Sequence, residues 1–278
     1  MLISVVIPTY NGDSLLQKSL PKLRDALSQL ENYEVIIVDN GSSDSTDSVV
    51  NFLLPVVSQY IKLNHNYGFT KAVNIGAKKA KGEYILILNN DCFVEEDTLI
   101  NLLNYLKKNK QYVATQPVID ELRITNDQLG SIGYEVDLKK GKANMITNYE
   151  LAMSNDNIWK TGKVYGLSAT CLLIRREIFN KIGGFDELFH SYLEDVDLFI
   201  RLAENGCKYS PCLDARASHM HMQTSSKMGK YKQSHDLINW IKIILKNYPM
   251  KFIIKNAISL FTERLRNLNG LFKVIFNY

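Results

Sequence analysis

Three apolar runs rich in β-branched and large aliphatic residues, at 2–7, 33–38 and 84–88, alternate with segments whose apolar residues recur at helical spacing. No other feature restricts the fold as much. Strands apolar on both faces must be covered on both faces, and strands joined through helices run parallel. The first run ends at Pro8, after which Leu15, Leu16, Leu20, Leu23, Leu27 and Leu30 predict an amphipathic helix over about 13–30. Asp39-Asn40-Gly41-Ser42-Ser43-Asp44 reads as a turn, 45–54 as a short helix halted before Pro55, 58–63 as a strand and 69–80 as a helix. A helix at 97–109 and a strand at 112–115 continue the pattern. Residues 120–160 break it: weak periodicity with scattered Gly, Asn and Lys predicts irregular chain, a lid or an acceptor-facing insertion. A strand at 171–174, a short helix from 176 and a helix at 195–205 follow, the last closed by Gly206. The expectation is an α/β protein with a mainly parallel central sheet flanked by helices.

With 278 residues, 46% of them apolar and 22% charged, the chain can bury a sizeable core. Its four cysteines (Cys92, Cys171, Cys207, Cys212) match neither a disulfide framework nor a zinc knuckle and suit a reducing compartment. The opening residues lack a basic leader and no run of 18 apolar residues is free of charge, so a cytoplasmic location is expected. The net charge of +4 is uneven: His219 to Tyr278 hold ten Lys or Arg against Asp236 and Glu263. Those lysines alternate with aliphatic residues and no base-reading motif accompanies them, which argues against nucleic acid. Neither G-x-G-x-x-G nor G-x-x-x-x-G-K-[ST] is present, which disfavours a Rossmann dehydrogenase and a P-loop kinase.

Ligands of parallel sheets gather at the carboxyl ends of the strands, where this chain has Thr9-Tyr10-Asn11, Asp39-Asn40 and Asn89-Asn90-Asp91. A carboxylate there is costly unless chemistry uses it, although a turn former or helix cap is the plainer reading. In the functional reading Asp39 accepts hydrogen bonds from a base or ribose and Asp91 holds a hard cation whose shell a diphosphate completes. Glu194-Asp195-Val196-Asp197 opens a helix and gains from its dipole. Asp197 is expected to pair with Arg201, Asp195 to be a general base, and Glu194 to position a substrate hydroxyl or Asp195. His219 and His221 alternate along extended chain, so no more than one should face the crevice, His219 being favoured as a metal partner. His65, His190 and His235 are expected to be structural, with His190 the best of them for acceptor contact.

Taken in order, these blocks resemble a known family. Val5-Val6-Ile7-Pro8-Thr9-Tyr10-Asn11 followed by Val38-Asp39-Asn40-Gly41-Ser42-Ser43-Asp44 resembles the nucleotide-binding half of family 2 glycosyltransferases, which have the GT-A fold. Asn66-x-Gly68-Phe69 with Asn74-x-Gly76, then Leu88-Asn89-Asn90-Asp91, is similar to the next blocks. Leu173-Ile174-Arg175-Arg176, Gly183-Gly184-Phe185-Asp186-Glu187 and Glu194-Asp195-Val196-Asp197 match the acceptor half. The resemblance, which covers about 1–225, implies a GT-A catalytic domain there, with a nucleotide-sugar half (1–115) and an acceptor half (116–225); the aliphatic and Lys pattern after it predicts a basic amphipathic helical tail over 226–278. It implies an inverting transferase that uses Mg²⁺ or Mn²⁺ and a UDP- or dTDP-linked sugar. The acceptor would be a hydroxyl of a glycan or lipid-linked saccharide in cell-surface polysaccharide synthesis.

Pro8, Thr9, Asn11, Asp39, Asn74 and Asn90 would then contact the nucleotide sugar. Asp91 would stand for the last acid of the D-x-D metal motif, Asp195 for the base with Glu194 beside it, and His219 or His221 for the late metal-side histidine. Asn89 replaces the first acid of that motif, as in rhamnosyltransferase-like bacterial members. Ala169-Thr170-Cys171 replaces the commoner Gly-Ala-Cys, and its extra methyl is expected to narrow the sugar or acceptor pocket. Two readings of the tail stay open: helices packed on the catalytic domain or on a partner subunit in a homo-oligomer, or helices resting peripherally on an anionic bilayer. A metal-dependent nucleotide-sugar pyrophosphorylase or hydrolase is the rival activity.

Overall fold

The computed structural model describes residues 2–52, 56–121, 130–147, 155, 157–220 and 229–276. Strands β1 (Ile3–Thr9), β2 (Tyr33–Asp39), β3 (Gln59–Lys62) and β4 (Tyr84–Leu88) run parallel, joined by helices α1 (Asp13–Leu27), α2 (Thr46–Phe52) and α3 (Phe69–Lys79). The chain continues through β5 (Cys92–Val94), α4 (Thr98–Lys108), β6 (Tyr112–Thr115), β7 (Pro117–Glu121), β8 (Gly130–Ser131), β9 (Tyr134–Asp137) and β10 (Lys142–Met145). Next come α5 (Ile158–Thr161), β11 (Lys163–Gly166), β12 (Cys171–Arg175), α6 (Arg176–Lys181), α7 (Glu194–Glu204), β13 (Lys208–Tyr209) and β14 (Cys212–His219). Helices α8 (Gly229–Asn247), α9 (Met250–Lys255) and α10 (Ala257–Phe276) follow.

The central sheet has the order β3-β2-β1-β4-β12-β6-β13, and only β12 runs against its neighbours. Its central strands β1, β2, β4 and β12 are mostly apolar because alternate residues serve two cores. Val6, Ile36, Val38, Ile85 and Ile87 face the layer containing α3, α7 and α8, whereas Val5, Ile7, Val35, Ile37 and Leu86 face α1 and α4. A second sheet, β5-β14-β7-β8, lies beside it and brings the end of β14 against the start of β5.

The irregular chain expected over 120–160 is corrected where it is described. Strands β9, β10 and β11 form a three-stranded antiparallel sheet with β9 in the centre, in the order β10-β9-β11. Its strands are four residues long, and in β9 only Tyr134 and Val136 point inward, too short an alternation to register as a strand in sequence. The tail is helical as expected, and its inner side packs on the catalytic body. Trp240, Ile243, Ile244, Tyr248, Phe252 and Leu260 are buried in the same core as α7 and the three-stranded sheet. Trp159 meets Tyr248 and Phe252 edge-on at 5.1 and 5.3 Å. Among the described residues, no helix is long and apolar enough to cross a membrane.

Candidate active site

Parallel register sets Thr9 beside Asp39 and Val6 beside Ile87, so the carboxyl ends of β1, β2 and β4 share one edge. The antiparallel β12 begins at that edge, with Cys171 opposite Leu88. Segments 9–12, 39–46, 89–91 and 168–170 therefore meet there.

On one side lie the residues expected around the nucleotide. Asn11 adopts a left-handed φ of 48°, donates its N–H to Ser42 Oγ at 2.8 Å and accepts from the Ser43 N–H at 2.9 Å. This ties the end of β1 to the turn after β2. Thr9 Oγ1 accepts from Asn90 Nδ2 at 2.9 Å. A Cβ on Gly12 would lie 2.3 Å from that hydroxyl and 2.5 Å from that amide, so only glycine admits the pair. Pro8 belongs to the buried end of β1, one residue before this contact.

Two of the residues expected at the nucleotide sugar already have partners within the protein. Asp39 is fully buried and already engaged: Oδ1 accepts from the Ser42 N–H (2.9 Å) and hydroxyl (2.5 Å), and Oδ2 from the Tyr60 hydroxyl at 2.6 Å. Tyr60 also bonds Asp47. Asp39 thus folds its own turn, and a base could reach its carboxylate only where Tyr60 yields. Asn74 clamps α3 to the 183–187 loop, donating to Phe185 O at 2.8 Å and accepting from the Phe185 N–H at 3.0 Å. Its amide faces this loop and not the crevice.

Asp91 and His219 do come together, with Oδ1 and Nε2 3.1 Å apart. The antiparallel pairing of His219 with Cys92 sets this meeting, and the Met220 N–H donates to Asp91 O at 3.0 Å. Ligand atoms on neighbouring corners of an octahedron with bonds of about 2.1 Å lie about 3.0 Å apart, so the two groups fit as adjacent ligands of one divalent cation. Among the described residues no three His, Cys, Asp or Glu are placed to hold a metal ion together. The remaining ligands would thus be water and diphosphate oxygens, and the imidazole suits Mn²⁺ better than Mg²⁺. His221 lies outside the described residues.

Glu194 and Asp195 start α7 across from these groups. The Val196 N–H donates to Asp195 Oδ1 at 2.8 Å and the Ala169 N–H approaches Oδ2 at 3.4 Å. The methyl of Ala169 is 3% exposed and packs in the core, so it does not narrow a pocket; what the residue turns toward Asp195 is its backbone. Burial, reinforced by the charge of Asp195, pushes the Glu194 carboxyl up to about 8, and burial alone pushes Asp195 up to about 6. Glu194 Oε2 is buried with no hydrogen-bond partner among the described residues. The proton of the pair therefore resides on Glu194 and leaves Asp195 ionised at neutral pH. Asp197 is structural as expected, fully buried and bonded to Arg201 Nε (2.8 Å), Lys246 Nζ (2.8 Å) and Asn247 Nδ2 (2.9 Å).

Sequence reasoning missed the support for this site. Asn40 accepts from the Tyr67 N–H at 2.9 Å and donates to Gly68 O at 3.0 Å, docking the 64–68 loop beside Asp39. Asn239 of α8 donates to Ser191 O at 2.9 Å and Tyr192 O at 2.8 Å, immediately before the acidic pair. An asparagine amid Ile238, Trp240 and Ile241 was the only signal for it. A hollow of about 550 Å³ lies elsewhere, lined by Asn74, Lys78, Gly183, Asp186, Arg201 and Lys246 among others, with none of the crevice residues above except the clamp Asn74.

The model of "Glycosyl transferase family 2" matches residues 4–183, more than half of the chain. The O-antigen chain rhamnosyltransferase RfbN of Salmonella typhimurium is 26% identical over 229 residues, which cover 81% of this chain and 68% of that protein. The uncharacterized glycosyltransferase RT0329 of Rickettsia typhi is 28% identical over 204 residues, 72% of this chain. The chain spans only 58% of that relative's length. Among solved structures, the mannosyltransferase PcManGT from Pyrobaculum calidifontis, in complex with GDP-Man and Mn²⁺, superposes with a TM-score of 0.65 at 18% identity. That superposition covers 97% of this chain and 71% of the other, and it shows the GT-A fold. This chain belongs to glycosyl transferase family 2.

Proposed function

We propose that the chain is an inverting glycosyltransferase that moves a sugar from a nucleotide-diphosphate donor to a hydroxyl of a glycan or lipid-linked acceptor in cell-surface polysaccharide synthesis. The observation that carries this reading is the Glu194–Asp195 pair at the start of α7, with Asp195 held by the N–H groups of Val196 and Ala169, together with Asp91 and His219 3.1 Å apart after the end of β4. Asp195 accepts the proton of the acceptor hydroxyl while that oxygen bonds to the anomeric carbon and the bond from that carbon to the diphosphate breaks. A single displacement inverts the anomeric centre. Glu194, keeping its proton, can donate to a substrate oxygen without competing as a base. Asn11, Thr9, Pro8 and Asn90 line the donor side. Asp91 and His219 would hold Mg²⁺ or Mn²⁺, which when bound neutralises charge on the leaving diphosphate. PcManGT, solved with GDP-Man and Mn²⁺, supports the pairing of metal and nucleotide sugar. On the family resemblance the base is taken as uracil or thymine, and RfbN supports the cell-surface product.

The tail supports a place at the cytoplasmic face of an anionic membrane. On α10 the exposed apolar residues Ile258, Phe261, Leu265, Leu268, Phe272 and Ile275 line one stripe, with Ile258 83% exposed. Lys251 and Lys255 lie on the preceding helix α9 and Arg266 and Lys273 on α10, and the single carboxylate of 237–276, Glu263, is only 7% exposed. An apolar stripe with cations and no open acid suits anionic lipid. The alternating three- and four-residue spacing of the stripe also suits a helix seam, so a homodimer through α10 is the second reading.

A thermal-shift panel of nucleoside diphosphates and their sugars, with and without Mn²⁺, tests the donor class. Asp195→Asn should abolish transfer while donor binding survives. Near-normal turnover in that variant would refute the base. Release of nucleoside diphosphate on water as fast as on acceptor would favour the hydrolase.

A further inference from the structure

The turn that delivers the acidic pair is strained and held from two sides. Tyr192 and Leu193 both adopt left-handed φ angles, 69° and 64°, which non-glycine residues hold only when their surroundings enforce it. On one side the Phe69 N–H donates to His190 O at 2.7 Å, and a Cβ on Gly68 would lie 2.4 Å from that oxygen. On the other side Asn239, 1% exposed, binds the carbonyls of Ser191 and Tyr192, and Lys242 Nζ donates to Leu188 O at 2.7 Å.

This arrangement gathers four rings beside Glu194. Tyr231 and His235 of α8 lie with centroids 3.8 Å apart, their planes tilted by 34°. Tyr192 meets Tyr231 at 6.3 Å, and His190 lies 6.5 Å from Tyr231, whose hydroxyl is 3.0 Å from His190 Nδ1. All four are half-buried. Tyr192 stands two residues before Glu194, so the cluster lies beside the start of α7. Asp236 lies close enough to raise Glu194 as well.

Packing α8 onto the body does not need this composition. Trp240, Ile243 and Ile244 already do that one turn further on. Half-open rings with polar edges, next to a carboxylate, match a pyranose: its C–H face stacks on an aromatic face while its hydroxyls bond the edges. The donor residues occupy the ends of β1 and β4, so the face beside Glu194 is left for the acceptor. We propose that His190, Tyr192, Tyr231 and His235 form the acceptor subsite, a platform for a pyranose ring of a glycan, with Asp236 taking one of its hydroxyls. The proposal rests on the transferase reading and makes the first tail helix part of the site.

Octyl glycosides of common hexoses serve as acceptor probes for the full chain, with the donor chosen by thermal shift. Tyr231→Leu should raise the acceptor KM about five- to tenfold and leave the donor KM and Tm near wild type, while Tyr231→Phe should keep the acceptor KM. Tyr192→Leu provides the same reading if Tyr231→Leu does not fold. An unchanged acceptor KM in the leucine variants, or equal losses for donor and acceptor, would overturn the subsite. A wild type that binds donor but neither glycosylates nor binds any octyl glycoside would overturn it too. Failure of every nucleotide sugar to bind the wild type would instead refute the transferase reading beneath it.

Discussion

Asn239→Ala is the sharpest test of how the fold prepares the acidic pair. The substitution removes two hydrogen bonds, to Ser191 O at 2.9 Å and Tyr192 O at 2.8 Å. At about 1 kcal/mol each, the direct loss is about 2 kcal/mol, more if the carbonyls stay dry. In a chain of this size, 1 kcal/mol corresponds to about 2–4 °C in Tm, so a fall of about 4–8 °C is expected. The second effect is local. The left-handed Tyr192 and Leu193 store about 1–3 kcal/mol each, and without the amide α8 loses its two hydrogen bonds to the carbonyls that end this turn. Asp195 lies two residues beyond Leu193, and a displacement of about 1 Å costs on the order of a hundredfold in rate. Calorimetry would read the stability change, and steady-state kinetics at saturating donor would read kcat beside the donor dissociation constant. The expected pattern is a lower Tm, a kcat reduced at least about tenfold and unchanged donor affinity, because the donor residues lie on β1 and β4. A Tm drop with intact kcat would refute the claim that this clamp positions the base.

Other expectations follow from the same site. Because burial raises both carboxyls, the folded protein holds their protons more tightly than the unfolded chain, so the pair's contribution to stability falls as pH rises from about 4.5 toward 8. Glu194→Gln should therefore gain Tm over wild type at pH 8 and lose that gain at pH 5, read by thermal scans at both values. Transfer should decline as pH falls through about 6, where Asp195 takes its proton, in a pH profile of kcat/KM. His219→Ala should weaken Mn²⁺ binding about tenfold or more in titration calorimetry with nucleoside diphosphate present, while Tm without metal moves little. Replacing Phe261, Leu265 and Phe272 by serine should abolish co-flotation with anionic liposomes. If wild type does not float and the variant turns from dimer to monomer in sedimentation, the helix seam is the correct reading of the tail.

Much of the catalytic frame was legible in the residues. Apolar runs at 2–7, 33–38 and 84–88 had to become buried parallel strands, because no other arrangement covers both faces. The polar residues that end them then had to share one edge. Asp197 with Arg201, four apart on a helix, was also readable. The three-stranded sheet was not, since its strands are only four residues long, β10 is largely exposed, and β9 finds its second partner, β11, about thirty residues on.

By itself the sequence determined the layered sheet, the edge where polar groups collect and the residue types gathered there, because periodicity and strand termini are local properties. Only the tertiary structure decided which of those groups are free to act. Asp39 and Asp195 are both strand- or helix-end carboxylates in sequence. Asp39 is consumed by Ser42 and Tyr60, whereas Asp195 receives backbone N–H groups, with its proton-holding neighbour Glu194 beside it. Likewise α8 reads as an appendage, yet Asn239 holds the strained turn before Glu194 from 45 positions further along the chain. Hydrogen-bond partnership and desolvation are set by groups distant in sequence, and they separate a structural carboxylate from a base.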